Sequence, residues 1–314
     1  MRSQVFISGA AACLVLAGCT GQVGGRTTSG GQHSAGGSVG AAGANGTAGT
    51  TGTGGASGSG GQTGAAGTTG SGGQTGTAGA TGAGGSGIDG SVTVDCSATL
   101  PTGGNTFTGT NVNGTADGLN YGIWTNGSGG SITIFKTAHA FSASWSNSSD
   151  FLAHLGLDFN APKAYTAYKA ITADFVESKT GTAGGFSSIG IYGWMHSPCI
   201  EWYINEDSYN GLAPRGSVTA VIDGATYYLT TSTTNGTGGA NACEAGHTGS
   251  WTNITSTRAS GHQCGTVTVS DHFAAWAKQG WNLGTIASVH INVEVGGGTG
   301  SIQFPVANVT ATSN

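Results

Sequence analysis

The sequence predicts an all-β domain, an antiparallel two-sheet jelly roll (a β-sandwich) with one short α-helix. Three observations lead there. From about Ser91 onward, short runs rich in Ile, Val, Tyr, Trp and Thr recur, and Gly, Asn and Ser punctuate them. Only one segment carries a helical signature. The domain that remains, 91–314, has the length of a sandwich or barrel rather than of two units.

The chain before that domain reads differently. Met1–Ala17 has one early charge, Arg2, and then an apolar run too short to span a bilayer, so 1–18 is expected to be a signal peptide. Its end, Leu16-Ala17-Gly18-Cys19, resembles the lipobox of bacterial lipoproteins. That resemblance implies a lipidated Cys19, a membrane partner through that lipid, and an exported protein at an outer membrane or cell surface. Residues 19–90 are Gly, Ala, Thr and Ser with a few Gln, without proline or aromatic residues, and cannot bury a core. They are expected to be a disordered linker, spanning about 45 Å as a flexible coil.

Within the domain the strand-like runs are 131–135, 140–145, 170–175, 187–192, 199–204, 217–222, 225–232, 249–256, 265–269, 286–295 and 301–309. The helix is Asp271–Gly280. Ser270 is its expected N-cap, Asp271 suits a positive helix end, and Phe273, Trp276 and Ala277 form an apolar stripe for packing on the outer sheet. Gly280 is its expected stop.

The formal net charge of −5, with no basic cluster, argues against nucleic acid. The Gly-rich runs do not lie between a strand and a helix, so no phosphate cradle is expected, and no nucleophile elbow appears. No cofactor or metal is implied, and a monomer is expected.

Charged residues are scarce, at 7% of the chain, so a carboxylate on a strand needs a reason. Glu201 lies in the aromatic run 189–205, where two strands flank a Ser197-Pro198 break. Alternation puts Cys199, Glu201 and Tyr203 on one face and Ile200, Trp202 and Ile204 on the other. That is either a solvated surface or the floor of a sugar cleft. A second lone acid, Glu294, ends the run Val289–Val295. Retaining glycosidases need two carboxyls about 5–5.5 Å apart, which neighbouring strands of a curved sheet can supply.

Five ordered motifs over about Asn120–Val309 then resemble the family 11 glycoside hydrolases, small jelly-roll endo-1,4-β-xylanases. They are Tyr121-Gly122-Ile123-Trp124-Thr125-Asn126-Gly127, Trp145–Phe151, the pair Tyr192-Gly193-Trp194 and Pro198–Tyr203, the helix with its exit at Leu283-Gly284, and Val293-Glu294. The resemblance implies Glu201 as nucleophile and Glu294 as acid/base in a retaining, double-displacement cleavage of internal β-1,4 bonds of xylan. It implies substrate contacts at Trp124, Tyr192, Tyr203 and Asn253. It also places Asp150 beside Glu294, where an aspartate goes with an acidic pH optimum that should move upward in Asp150→Asn. The thumb hairpin departs from the family: Thr233–Glu244 lacks its Arg and Pro-Ser-Ile, and Thr255 and Gly296 replace aromatic residues. Two alternatives therefore stay open, a non-catalytic glycan-binding module and a glycanase for another β-linked polymer.

Cys96, Cys199, Cys243 and Cys264 in an exported domain are expected to form two disulfides, with Cys243–Cys264 and Cys96–Cys199 as the favoured pairing. A zinc set of Cys243, His247, His262 and Cys264 is the rival reading.

Overall fold

The computed structural model describes residues 93–235, 243, 247 and 249–314. The signal peptide, Cys19 and the linker lie outside the described residues, as does most of the altered thumb. The strands are β1 (Asn105–Gly109), β2 (Asn111–Ala116), β3 (Leu119–Asn126), β4 (Gly130–Phe135), β5 (Ala140–Ser146), β6 (Asp150–Ala164), β7 (Tyr168–Gly181) and β8 (Ser187–His196). They continue with β9 (Ile200–Asp207), β10 (Thr219–Ile222), β11 (Ala225–Thr234), β12 (Trp251–Arg258), β13 (Cys264–Thr268), β14 (Thr285–Val295) and β15 (Thr299–Ser313). A helix, α1 (Val269–Lys278), sits between β13 and β14.

These strands make two sheets, ordered β1-β4-β5-β15-β7-β13 and β10-β11-β12-β9-β8-β14-β6-β3-β2. The predicted jelly roll is thus present, with one difference. Pairing is antiparallel except between β12 and β9, which run parallel with Asn253 opposite Glu201. No sequence pattern reports that pairing, because it joins strands separated by the β10–β11 hairpin. Three of the strands that sequence reading missed or understated are β1, β2 and β6. The first two are Thr, Asn and Gly runs with little apolar alternation, and β6 runs on through Asn160-Ala161-Pro162, which reads as a break.

Alternation decides what each strand buries. In β9, Ile200, Trp202 and Ile204 enter the main core while Glu201 and Tyr203 face the other way. In β14, Val289, Ile291, Val293 and Val295 are fully buried in that core. The stripe of α1 does not rest on the outer, six-stranded sheet alone. Phe273 and Trp276 pack on Trp202 of the larger sheet, with ring centroids 5.1 and 6.0 Å away. The helix begins two residues earlier than Ser270 suggests. Thr268 is the N-cap, and the Ser270 hydroxyl instead accepts the Ile171 N–H of β7 (3.4 Å). Asp271 is in the first turn as expected, and Gly280 ends the helix at a positive φ of 79°.

The disulfides correct the expected pairing. Cys96 joins Cys264, and Cys199 joins Cys243. Sequence spacing permits all three pairings of four cysteines, so only the fold chooses. The zinc reading falls with it. Cys243 and Cys264 belong to different bridges, and His262 Nδ1 is 2.7 Å from Glu206 Oε2. Cys199, Cys243 and His247 lie close together, but both sulfurs are spent in the bridge.

The Cys96–Cys264 bond clips the start of the domain to β13 across a separation of 168 residues. Closing so long a loop constrains the unfolded chain strongly. Cys264→Ser is expected to cost about 2–5 kcal/mol, read as a fall in Tm of roughly 5–15 °C in thermal melts. A Tm within a degree of the parent counts against this role.

Candidate active site

Glu201 is placed by a tight reversal. Ser197, at φ 51°, and Pro198 turn β8 into β9, and Glu201 then pairs across to Trp194. Its carboxylate meets four donors. Trp251 Nε1 and Asn253 Nδ2 both donate to Oε2 at 2.8 Å. The Tyr203 hydroxyl donates to Oε1 at 2.9 Å and the Tyr192 hydroxyl at 3.5 Å. Burial raises the Glu201 pKa, and all four hydrogen bonds pull it back by favouring the ionised form.

Glu294 reaches the same space from β14, on the other side of β8. The Tyr203 hydroxyl donates to Glu201 and also feels the charge of Glu294. The two acids therefore share a space, and the charge of Glu201 acts on Glu294. Glu294 has different company. Burial, then the charges of Asp150 and Glu201, push it well above the usual carboxylate range.

Asp150 begins β6 beside Glu294. Burial, then the Glu201 charge, raise its pKa to about 7, against the effect of the neighbouring Glu294 carboxyl. Three acids in one site thus divide by environment. Four donors favour charge on Glu201, and two neighbouring carboxyls favour a proton on Glu294.

Aromatic rings wall the site. Tyr192, Trp194, Trp251, Leu152 and the Cys199–Cys243 bridge form a second apolar cluster on the cleft face, with Trp124 and Tyr203 packed against it. Tyr192 and Tyr203 lie 5.1 Å apart between ring centroids, and Trp194 and Trp251 5.9 Å.

Residues 116–305 match the sequence profile of glycosyl hydrolases family 11. The chain belongs to this family. Endo-1,4-beta-xylanase S20 of Neocallimastix patriciarum is 40% identical over 218 residues, covering 67% of this chain and 63% of that protein. Endo-1,4-beta-xylanase C of Fibrobacter succinogenes is 30% identical over 194 residues, covering 60% of this chain and 31% of that protein. The chain thus spans less than two thirds of the length of these relatives. Among solved structures, the family 11 xylanase from Neocallimastix patriciarum superposes with a TM-score of 0.59 at 29% identity, covering 66% of this chain and all of that one.

As a family 11 member the chain brings together the residues singled out from its sequence. Glu201, Glu294, Asp150, Tyr192, Tyr203 and Asn253 are joined by direct contacts, and Trp124 packs on the adjoining wall. Sequence reading missed Trp251, which binds Glu201 as closely as Asn253 does. The signal was available: Trp251, Asn253 and Thr255 alternate along one strand, so a cleft role for Asn253 carries Trp251 with it.

Proposed function

We propose that this protein is a retaining endo-1,4-β-xylanase. The reading rests on one observation above the others, the Tyr203 hydroxyl that donates to Glu201 and feels the charge of Glu294 beside it. A spacing of about 5–5.5 Å suits attack by one carboxylate while the other assists departure, with no room for a water between them. Glu201 attacks the anomeric carbon as Glu294 gives its proton to the glycosidic oxygen. Glu294, now ionised, takes a proton from water, which releases the sugar from Glu201. The names of the matched relatives support xylan as the substrate. Time-resolved NMR of products from xylo-oligosaccharides tests the reading: the first anomer formed should be β, and an initial α product would overturn it.

The form and place of the protein are part of the same proposal. A signal ending at Cys19 would leave the domain on a lipid anchor beyond a long linker, reaching polymer outside the envelope. Mass spectrometry of the detergent-extracted N-terminal peptide should find acylated Cys19. An unmodified or absent Cys19 would remove the anchor from the scheme.

A further inference from the structure

Phe186 is a ring that the core does not use. It directly precedes β8, neither apolar cluster includes it, and its side chain is partly open to solvent. Partial exposure of one ring is ordinary. Its place is not.

Pairing of β14 with β8 sets Glu294 opposite Ser188 and Val295 opposite Ser187. One step further, the Gly296 N–H donates to the Phe186 carbonyl at 3.0 Å, and the Gly185 N–H donates to the Gly296 carbonyl at 2.5 Å. Val295 enters the main core, so Gly296 faces out with Glu294, about 7 Å along the chain. A Cβ at Gly296 would stand 2.4 Å from Cδ1 and from Cε1 of Phe186, and its three nearest neighbours all belong to that ring. The ring therefore lies on the catalytic face, over bare backbone. Backbone conformation does not demand glycine at 296, because positive φ belongs to Gly297 and Gly298, at 84° and 75°. What a side chain there would meet is Phe186. The sequence departs from its family at this glycine, where an aromatic residue is usual, and a ring from the start of β8 fills the space instead.

Glu294 thus has a ring to either side. Leu152 pairs with both Glu294 and Trp124, so Trp124 stands two strands away, about 10 Å. Phe186 borders Glu294 from the β8 side. Next to Phe186 on the same face, the side chains are polar and uncharged. The Ser188 hydroxyl donates to Asn205 Oδ1 at 2.6 Å, and Asn205 Nδ2 donates to Thr257 Oγ1 at 3.5 Å, a line that crosses from β8 through β9 to β12. All three side chains are partly open. Their hydroxyls and amide keep donors and acceptors to spare. A pyranose asks for this pair of surfaces. The C–H groups on its flat sides meet the electron-rich face of an aromatic ring, and the hydroxyls on its rim meet polar side chains.

We infer that Phe186 is a platform on which a sugar unit stacks, on the β8 side of Glu294, and that Ser188, Asn205 and Thr257 take hydroxyls of the chain beside it. The inference deepens the xylanase reading and rests on it. Calorimetry on the Glu201→Gln protein, with long linear xylo-oligosaccharides, tests it. Phe186→Leu keeps an apolar cover on Gly296 but no flat ring, and should weaken the ligand roughly fivefold, the scale of one stacking contact. Phe186→Tyr keeps the ring and should bind as the parent does. Asn205→Leu breaks the polar line and should weaken the ligand by a comparable factor. Unchanged affinity in Phe186→Leu would overturn the platform while leaving the xylanase reading intact, since a ring that only covers backbone shows its loss in Tm alone. Equal losses in the Leu and Tyr variants would point to disturbed backbone and overturn it as well. Failure of the Glu201→Gln protein to bind any xylo-oligosaccharide, with no reducing ends released from xylan by the unaltered enzyme, would overturn both readings.

Discussion

Glu201→Gln is expected to lower kcat on xylan by roughly 10⁴-fold or more, the scale on which loss of a covalent nucleophile is felt in other hydrolases. The fold should survive the change. Oε2 accepts from Trp251 and Asn253, and Oε1 from the tyrosine hydroxyls. A glutamine can point its oxygen at Trp251 Nε1 and Asn253 Nδ2, which donate to that position. Its NH₂ group then faces Tyr192 and Tyr203, whose hydroxyls can turn and accept. Binding of xylo-oligosaccharides should therefore persist while release of reducing ends stops. A variant that keeps a tenth of the parent rate would sink the assignment of Glu201, whatever its stability. Glu294→Gln should behave differently: substrates with an acidic phenol as leaving group need little protonation, so their first step should recover much of the lost rate.

Asp150→Asn should move the alkaline limb of the pH–rate profile upward. Asp150 gives up its proton through about pH 7. Once charged, it stands beside Glu294 and raises the proton affinity of that acid further, which makes Glu294 a poorer donor to the leaving oxygen. Activity in the parent should therefore fall as Asp150 ionises. An asparagine never ionises, and Glu294 is held high by burial before any neighbour acts. The limb then passes to Glu294 itself, at higher pH. Because the carboxyls titrate together, the measured midpoints belong to the pair. Profiles of kcat/KM for the two proteins that coincide, or a limb that moves down, would contradict the shared-proton picture.

The two glutamates were legible because so little else in the chain is charged. A lone acid inside an aromatic strand stands out, and period-two alternation then fixes which neighbours share its face. Alternation likewise gave Tyr203 and the core role of Trp202. What stayed hidden is non-local. The parallel register of β12 on β9, which brings Trp251 and Asn253 to Glu201, leaves no local trace. Nor does the choice among cysteine pairings, which depends on where the segment bearing Cys243 returns.

The parallel pair has a consequence for redesign. Because β12 re-enters the sheet in the same direction that β9 left it, everything from Ser208 to Ser250 is an excursion between two fixed rails. One rail carries Glu201 and the other carries the two side chains that hold its Oε2. Any redesign of that span has to keep Tyr227 and Leu229 of β11, which are buried in the core, and Cys243, which bridges to Cys199 beside Glu201.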